Sequence, residues 1–453
     1  MSETQKTITF FGAGVLLLAV ALLTAPRHVT PDVFMDRGEQ FFADFTDPNV
    51  ATTLEVIEFD EQTAAARPFK VTFEGGQWTI PSHHDYPADG KDRLAKTAAD
   101  IIEIRKDDYR SDNVSDHEAC GVIDPLDEGV TSLKGRGKRV TIKGKDDQVL
   151  ADLIIGRKVE GKEKLYFVRA PGQKRVYVAQ LDLEVSTKFE DWIERDLMEL
   201  EKDEIQRVTL KDYSINERTG TIDQRGTLIL TKKDEKWEAD RMSSKQELET
   251  YKMNELVKTV DELSIVGVRP KPEGLSKSLQ RSEEGTRLTQ SDLMSLQSKG
   301  FFFSRKGNLL SNEGELEVET DDGVTYTLRF GEIVFGSGEA ITAGSEASDD
   351  KDSGPGENRY LFLTTSYQAS PSGPPEPRNT DFLNKAESEW SDADRSNSEL
   401  KNKYDQWKKK QDSAKERSER LNARFADWYY VISDDSFDKI HLGRSDLIKK
   451  KTS

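Results

Sequence analysis

His28, His83, His84, His117, His441 and the single Cys120 are the side chains of this chain best suited to bind a metal or attack a substrate. Only His83-His84-Asp85 forms a cluster, and neighbouring side chains on an extended segment point to opposite sides. The run fits no His-Glu-x-x-His spacing, in which two imidazoles share one helix face around zinc, so a surface turn is expected. Cys120 lacks an evident His–Asn constellation to draw off its proton, and a buried or inert thiol is expected. A lone cysteine also excludes an intramolecular disulfide, a Cys-x-x-Cys redox pair and a cysteine-rich zinc site. Asp349-Asp350-Lys351-Asp352 resembles the start of a calcium loop, but glycine and the closing glutamate miss EF-hand spacing. No Gly-x-Ser-x-Gly elbow, Walker A loop or dinucleotide fingerprint occurs. With 84 acidic residues, carboxylate pairs arise by chance and single out no acid/base dyad. These residues predict a protein that is not an enzyme and holds no cofactor or metal.

Binding chemistry is better represented. From Ala386 to Trp428, positions stepping alternately by four and three hold Trp390, Leu400, Tyr404, Trp407, Ala414, Leu421 and Phe425, interrupted by Asn397, Gln411 and Ser418. This is a helical seam of coiled-coil spacing. Trp390, Tyr404 and Trp407 are the candidate partner-binding residues, with packing on the protein's own body as the alternative. One long helix and a hairpin broken at the Ser396-x-x-Glu399 capping box are both compatible with the pattern. Residues 400–424 hold nine bases against four acids, a surface where an acidic partner would dock. The basic run Lys134, Arg136, Lys138, Arg139, Lys143 and Lys145 reads as a solvated strand face.

The elements that would carry these residues fall into a clear order. The 453 residues include 66 basic and 84 acidic ones, a net charge of −18, which argues against a nucleic-acid binder. Residues 7–26, TITFFGAGVLLLAVALLTAP, carry no charge. Twenty helical residues cover about 30 Å, the thickness of the bilayer's hydrocarbon core, so a single-pass membrane anchor is expected, with a cleaved secretory signal as the alternative.

Beyond the anchor the chain repeats itself. Phe69, Val71 and Trp78 fall on Leu228, Leu230 and Trp237 at constant offset, each set in a β-hairpin pattern followed by an amphipathic helix. Residues 146–156 line up without a gap on 321–331, placing Leu153-Ile154-Ile155-Gly156 on Leu328-Arg329-Phe330-Gly331. The expected fold is α+β: an N-terminal transmembrane helix, then two tandem duplicated modules with antiparallel sheets, the second carrying a coiled-coil-like insertion. One large mixed sheet is the alternative. The expected organisation is a cytoplasmic tip and anchor (1–27), a linker (28–49), a first module (50–200), a second module (201–448) and a basic tail (449–453). The second module contains an acidic loop (336–358) and the helical insertion (379–427), joined through the Pro-rich 370–378.

Gln77-Trp78-Thr79-Ile80, Tyr86-Pro87-Ala88-Asp89, Gly121-Val122-Ile123-Asp124-Pro125, Leu153-Ile154-Ile155-Gly156, Val176-Tyr177-Val178 and Arg195-Asp196-Leu197 follow one another in this order. The series resembles the bacterial family called domain of unknown function 4340, over most of residues 50–200 and more loosely the second copy. The resemblance implies a membrane-anchored protein encoded beside ABC-2-type transporter or gliding-motility-like components, and it transfers no catalytic residue. The implied place is the bacterial cytoplasmic membrane, with most of the chain extracytoplasmic. The expected function is a non-catalytic accessory or binding subunit of such an export system. The alternative is a structural envelope protein that forms oligomers through the helical insertion.

Overall fold

The computed structural model describes residues 13–18, 36–61, 64–182, 185–194, 196–216, 219–281, 288–304, 307–335, 357–369 and 373–451. The described part of the apolar N-terminal run is a helix over residues 13–18. Six residues rise about 9 Å, whereas a span needs about 20 residues. No helix among the described residues is long and apolar enough to cross a membrane, which overturns the expected transmembrane helix. The rest of residues 7–26 and the acidic loop up to residue 356 lie outside the described residues, as do His28 and Arg195.

The described chain is α+β with large antiparallel sheets. Its strands are β1 (Thr53–Asp60), β2 (Ala65–Glu74), β3 (Gln77–Ile80), β4 (Tyr86–Pro87), β5 (Asp108–Ser111), β6 (Lys138–Lys143), β7 (Val149–Lys158), β8 (Leu165–Arg169) and β9 (Val176–Gln180). They continue as β10 (Ile205–Asn216), β11 (Thr221–Lys233), β12 (Lys236–Ala239), β13 (Gln246–Leu248), β14 (Gly267–Pro270), β15 (Phe301–Phe303) and β16 (Leu309–Ser311). The last are β17 (Glu315–Thr320), β18 (Val324–Phe335), β19 (Glu357–Tyr367), β20 (Trp428–Ile432) and β21 (Ile448–Lys450). The helices used below are α1 (Lys91–Ile102), α2 (Thr250–Asp261), α3 (Glu273–Arg281), α4 (Gln290–Gln297), α5 (Asp392–Ala426) and α6 (Asp434–Ile440).

The chain divides into two compact units, residues 1–68 with 94–184, and 69–93 with 185–453. In the first unit the sheet runs β1-β6-β7-β8-β9-β5, and in the second it runs β12-β11-β10-β17-β18-β19-β20-β14. From β10 to β14 the second order repeats the first strand for strand. The registers repeat too. Val56 pairs Val140, which pairs Leu153, while Leu210 pairs Leu316, which pairs Leu328. The hairpins β2–β3 and β11–β12 also match, with Phe73 opposite Trp78 and Lys232 opposite Trp237. Both turn through two left-handed residues, Gly75-Gly76 and Asp234-Glu235, the backbone that a tight hairpin's twist requires.

Apolar alternation builds the cores. Leu54, Val56, Val140, Ile142 and Leu153 are buried in the first unit, as are Val208, Leu210, Leu316, Val318 and Leu328 in the second. Segment 69–93 joins the second unit through aromatic rings. Phe69 meets Trp192 at 5.9 Å between centroids, and Tyr86 meets Phe189 at 5.3 Å and Trp428 at 4.9 Å. Gly156 and Gly331 take equivalent places where β7 and β18 shift register. A Cβ on either would meet a carbonyl oxygen, Cys120 O at 2.4 Å or Lys299 O at 2.1 Å.

Candidate partner-binding surfaces

The residues suited to metal or nucleophile chemistry are dispersed. His83 is buried and stacks on Phe189 at 4.9 Å, and its Nδ1 lies 2.9 Å from Ser82 Oγ. Burial, with the positive charges of His84 and Arg269, pushes its pKa down to about 4, so the ring is neutral. The expected surface turn forms at left-handed His84 and Asp85, but His83 itself is a core residue. His117 Nε2 lies 2.8 Å from Lys174 O, and His441 stacks on Phe437 at 4.5 Å. Cys120 is a buried free thiol whose pKa burial pushes up. No group of three metal-capable side chains exists among the described residues.

The helical insertion is one helix, α5, 35 residues long. Its cap is Ser391, which exchanges bonds with Asp394 in a capping box, and the helix runs through Ser396 unbroken. The seam positions Gln411, Ala414, Ser418, Leu421 and Phe425 are buried against the body. Asn422 Nδ2 donates to Thr365 O at 2.6 Å, Thr365 Oγ1 to Ser418 O at 2.8 Å, and Tyr367 OH to Gln411 Oε1 at 2.9 Å. The heptad spacing therefore arises from a helix lying on β19.

From Asp392 to Lys409, about 27 Å of helix, the partners lie in the segment just before it. Asn379 Oδ1 accepts from Asn397 Nδ2, and Glu376 Oε1 accepts from Tyr404 OH at 2.7 Å. Trp390 sits edge-on to Phe382 at 5.4 Å. Tyr404 and Trp407 lie 5.7 Å apart, and a Cβ on Gly373 would come within 2.7 Å of the Trp407 ring. All three candidate rings are half-buried. The structure brings Tyr404 and Trp407 together, while Trp390 packs separately on Phe382.

Much of the basic face of α5 finds acids in its own unit. Arg417 pairs with Glu204 at 3.1 Å and Asp322 at 2.8 Å, Lys410 with Asp321 at 2.7 Å, and Arg420 with Glu199. Arg424 donates to Asp196 O at 3.3 Å.

A second surface escaped the reading of the sequence. On β10, β17 and β18 the cross-strand row Lys211–Glu315–Arg329 faces a groove of about 640 Å³. Glu315, with its side chain 7% exposed, accepts from Lys211 Nζ at 2.8 Å and Tyr213 OH at 3.4 Å, and forms an ion pair with Arg329, whose Nε lies 3.1 Å from the carboxylate. Lys211 also reaches Glu317 at 2.6 Å. Burial opposes the charge on Lys211, but the bonds to Glu315 and Glu317 outweigh it and raise its pKa. Burial beside Glu315 likewise raises that of Tyr213. The β15–β16 hairpin forms one wall, fixed by Arg329 Nε donating to Leu309 O at 3.1 Å. Gln224, Gly226, Thr227 and Arg241 line the other. The alignment of Ile154 with Arg329 was the available signal, a charge standing where the first copy has a core residue.

Residues 78–278 match the model of a family described as Domain of unknown function (DUF4340). The match begins at Trp78 in β3 and ends within α3, so it takes in parts of both copies. The resemblance drawn from the ordered motifs is thus supported over this range. No curated protein and no solved structure matches the chain.

Proposed function

We propose that this chain is a non-catalytic binding subunit that works beside an ABC-2-type export or gliding-like system at the bacterial cytoplasmic membrane. The observation behind the binding role is the asymmetry between two otherwise equivalent sheets. Among the described residues, the second carries the long helix α5 and the charged groove, where the first has the buried Ile154 in place of Arg329. The transporter assignment rests on the family resemblance. It is tested by affinity capture of the full-length protein from solubilised membranes, with a parallel variant deleted for 379–427. The proposal expects transporter subunits in the capture of the full-length chain. If the full-length chain captures only copies of itself, and the deletion abolishes this, the protein is a self-associating envelope component instead.

A further inference from the structure

The charges of the groove on the second sheet are spent on one another. Its lining sets Lys211, Arg241 and Arg329 against Asp212, Glu315 and Glu317, which leaves no net charge. Glu315 is engaged by Lys211, Arg329 and Tyr213, Glu317 by Lys211, and Asp212 by Arg225 at 2.6 Å. Arg241 pairs with its neighbour Asp240 at 3.2 Å. An ionic ligand would have to displace one of these pairs or lose its water without gaining a counter-ion, and both are costly. Hydrogen-bonding capacity is what remains. Lys211 keeps one ammonium proton beyond its two glutamate bonds, and Arg329 keeps the protons of Nη2 beyond its bonds to Leu309 O and Thr364 Oγ1. Glu317 meets Lys211 through Oε1 and keeps the lone pairs of Oε2. Gln224, Thr227 and Asn308 are exposed, and their side chains bond nothing among the described residues. Apolar surface lies on both walls, Ile222 at 44% exposure on one and the half-buried Leu309 and Leu310 on the other.

We propose that this groove binds a neutral oligosaccharide. A hydroxyl both donates and accepts, so a polyol can bond leftover donors and acceptors alike without bringing a charge out of water. The apolar C–H faces of a sugar ring match Ile222, Leu309 and Leu310. A peptide suits the groove less well. The floor strands β10, β17 and β18 each have a neighbour on both edges, so no backbone ladder is open to an added strand there. The volume of about 640 Å³ lies within the range of about 300–1,000 Å³ typical of ligand pockets. The first sheet has no equivalent lining, because the buried Ile154 stands where the second has Arg329.

Gly226 gives a clean probe, because it lines the groove and a Cβ on it would meet nothing within 4 Å. The full-length protein is applied to an array of neutral and acidic oligosaccharides, built on glucose, mannose, galactose and N-acetylglucosamine, and the bound glycans are titrated by calorimetry. Neutral glycans should bind. Their affinity should fall at least about tenfold in Gly226→Trp, which adds an indole to the groove wall, and persist in Gly226→Ala. The double variant Gln224→Ala/Asn308→Ala removes two exposed side chains without partners, and should weaken binding about tenfold while urea unfolding stays unchanged. An array bound by no neutral glycan, binding confined to acidic glycans, or affinity that is equal in Gly226→Trp or in the double variant would overturn the inference. So would random linear peptides that bind at the groove while neutral glycans do not. The inference rests on the reading of the chain as a binding subunit and names what its groove takes, not its membrane partner. Groove-dependent glycan binding without a captured transporter supports it and removes the transporter assignment. A captured transporter without groove-dependent glycan binding overturns it and leaves that assignment standing.

Discussion

Arg329 stands in the second sheet where Ile154 stands in the first, each opposite the equivalent residue of the neighbouring strand. Ile154 is sealed in a small apolar cluster with Cys120, Val122 and Val176. Arg329 instead pairs with Glu315 and bonds the Leu309 carbonyl and Thr364 Oγ1. One exchange within a repeated framework turns a closed seat into a polar one.

The energetics of that exchange can be measured. Arg329→Met leaves the buried Glu315 carboxylate short of a partner and should destabilise the protein by about 3 kcal/mol, read from urea unfolding. Adding Glu315→Gln should recover part of this, because the group left behind is neutral. A double variant as unstable as the sum of the two single ones would show that the pair is not coupled.

His83 predicts a pH dependence. The folded protein holds its pKa at about 4 through burial, whereas an unfolded histidine titrates near 6.5. Between those values the unfolded chain binds the extra proton. The stabilisation is therefore complete above pH 6.5 and is lost as pH falls towards 4, by roughly 3 kcal/mol. Thermal unfolding of His83→Phe across pH 7.5 to 4.5 should show a shallower fall than the parent (roughly, over the same window). Parallel curves would refute the assignment.

The framework was legible where the sequence repeats at constant offset. Trp78 and Trp237, and the gapless alignment of 146–156 on 321–331, reappear as equivalent hairpins and registers. The helix pattern of 386–428 was legible in its spacing, but spacing cannot tell a partner helix from a sheet, and β19 lies more than 20 residues away in sequence. The groove was obscured because its walls come from β11, β10, β16, β17 and β18, and only their pairing assembles it. His83 was read as surface because its neighbours are polar, while the rings that bury it, Phe69 and Phe189, are remote.

Glycine substitutions test the shared bulge. Gly331→Ala places a Cβ 2.1 Å from Lys299 O, a contact only backbone movement can relieve, and Gly156→Ala does the same against Cys120 O. Each should cost about 2–3 kcal/mol in denaturant unfolding. Gly226→Ala meets nothing and should change stability by less than about 0.5 kcal/mol. Equal stability of all three would remove the close-approach explanation.

Arg417 joins α5 to the body, so its removal should loosen the helix selectively. Its guanidinium binds Glu204 and Asp322, whose side chain is 9% exposed, and Nη1 also reaches Glu199 O at 3.4 Å. Arg417→Met keeps most of the stem's packing but leaves two acids facing each other without a cation. The expected cost is about 3 kcal/mol, as for other broken buried pairs. Amide exchange supplies the selective readout. Residues 411–426 and the turn at 321–323 should exchange faster in Arg417→Met, while β1, β6 and β7 keep their protection. Arg417→Lys restores charge but not the forked geometry that reaches both acids, and should fall between the two. Uniform acceleration across both units would mean that Arg417 supports global stability and does not act as a local clasp.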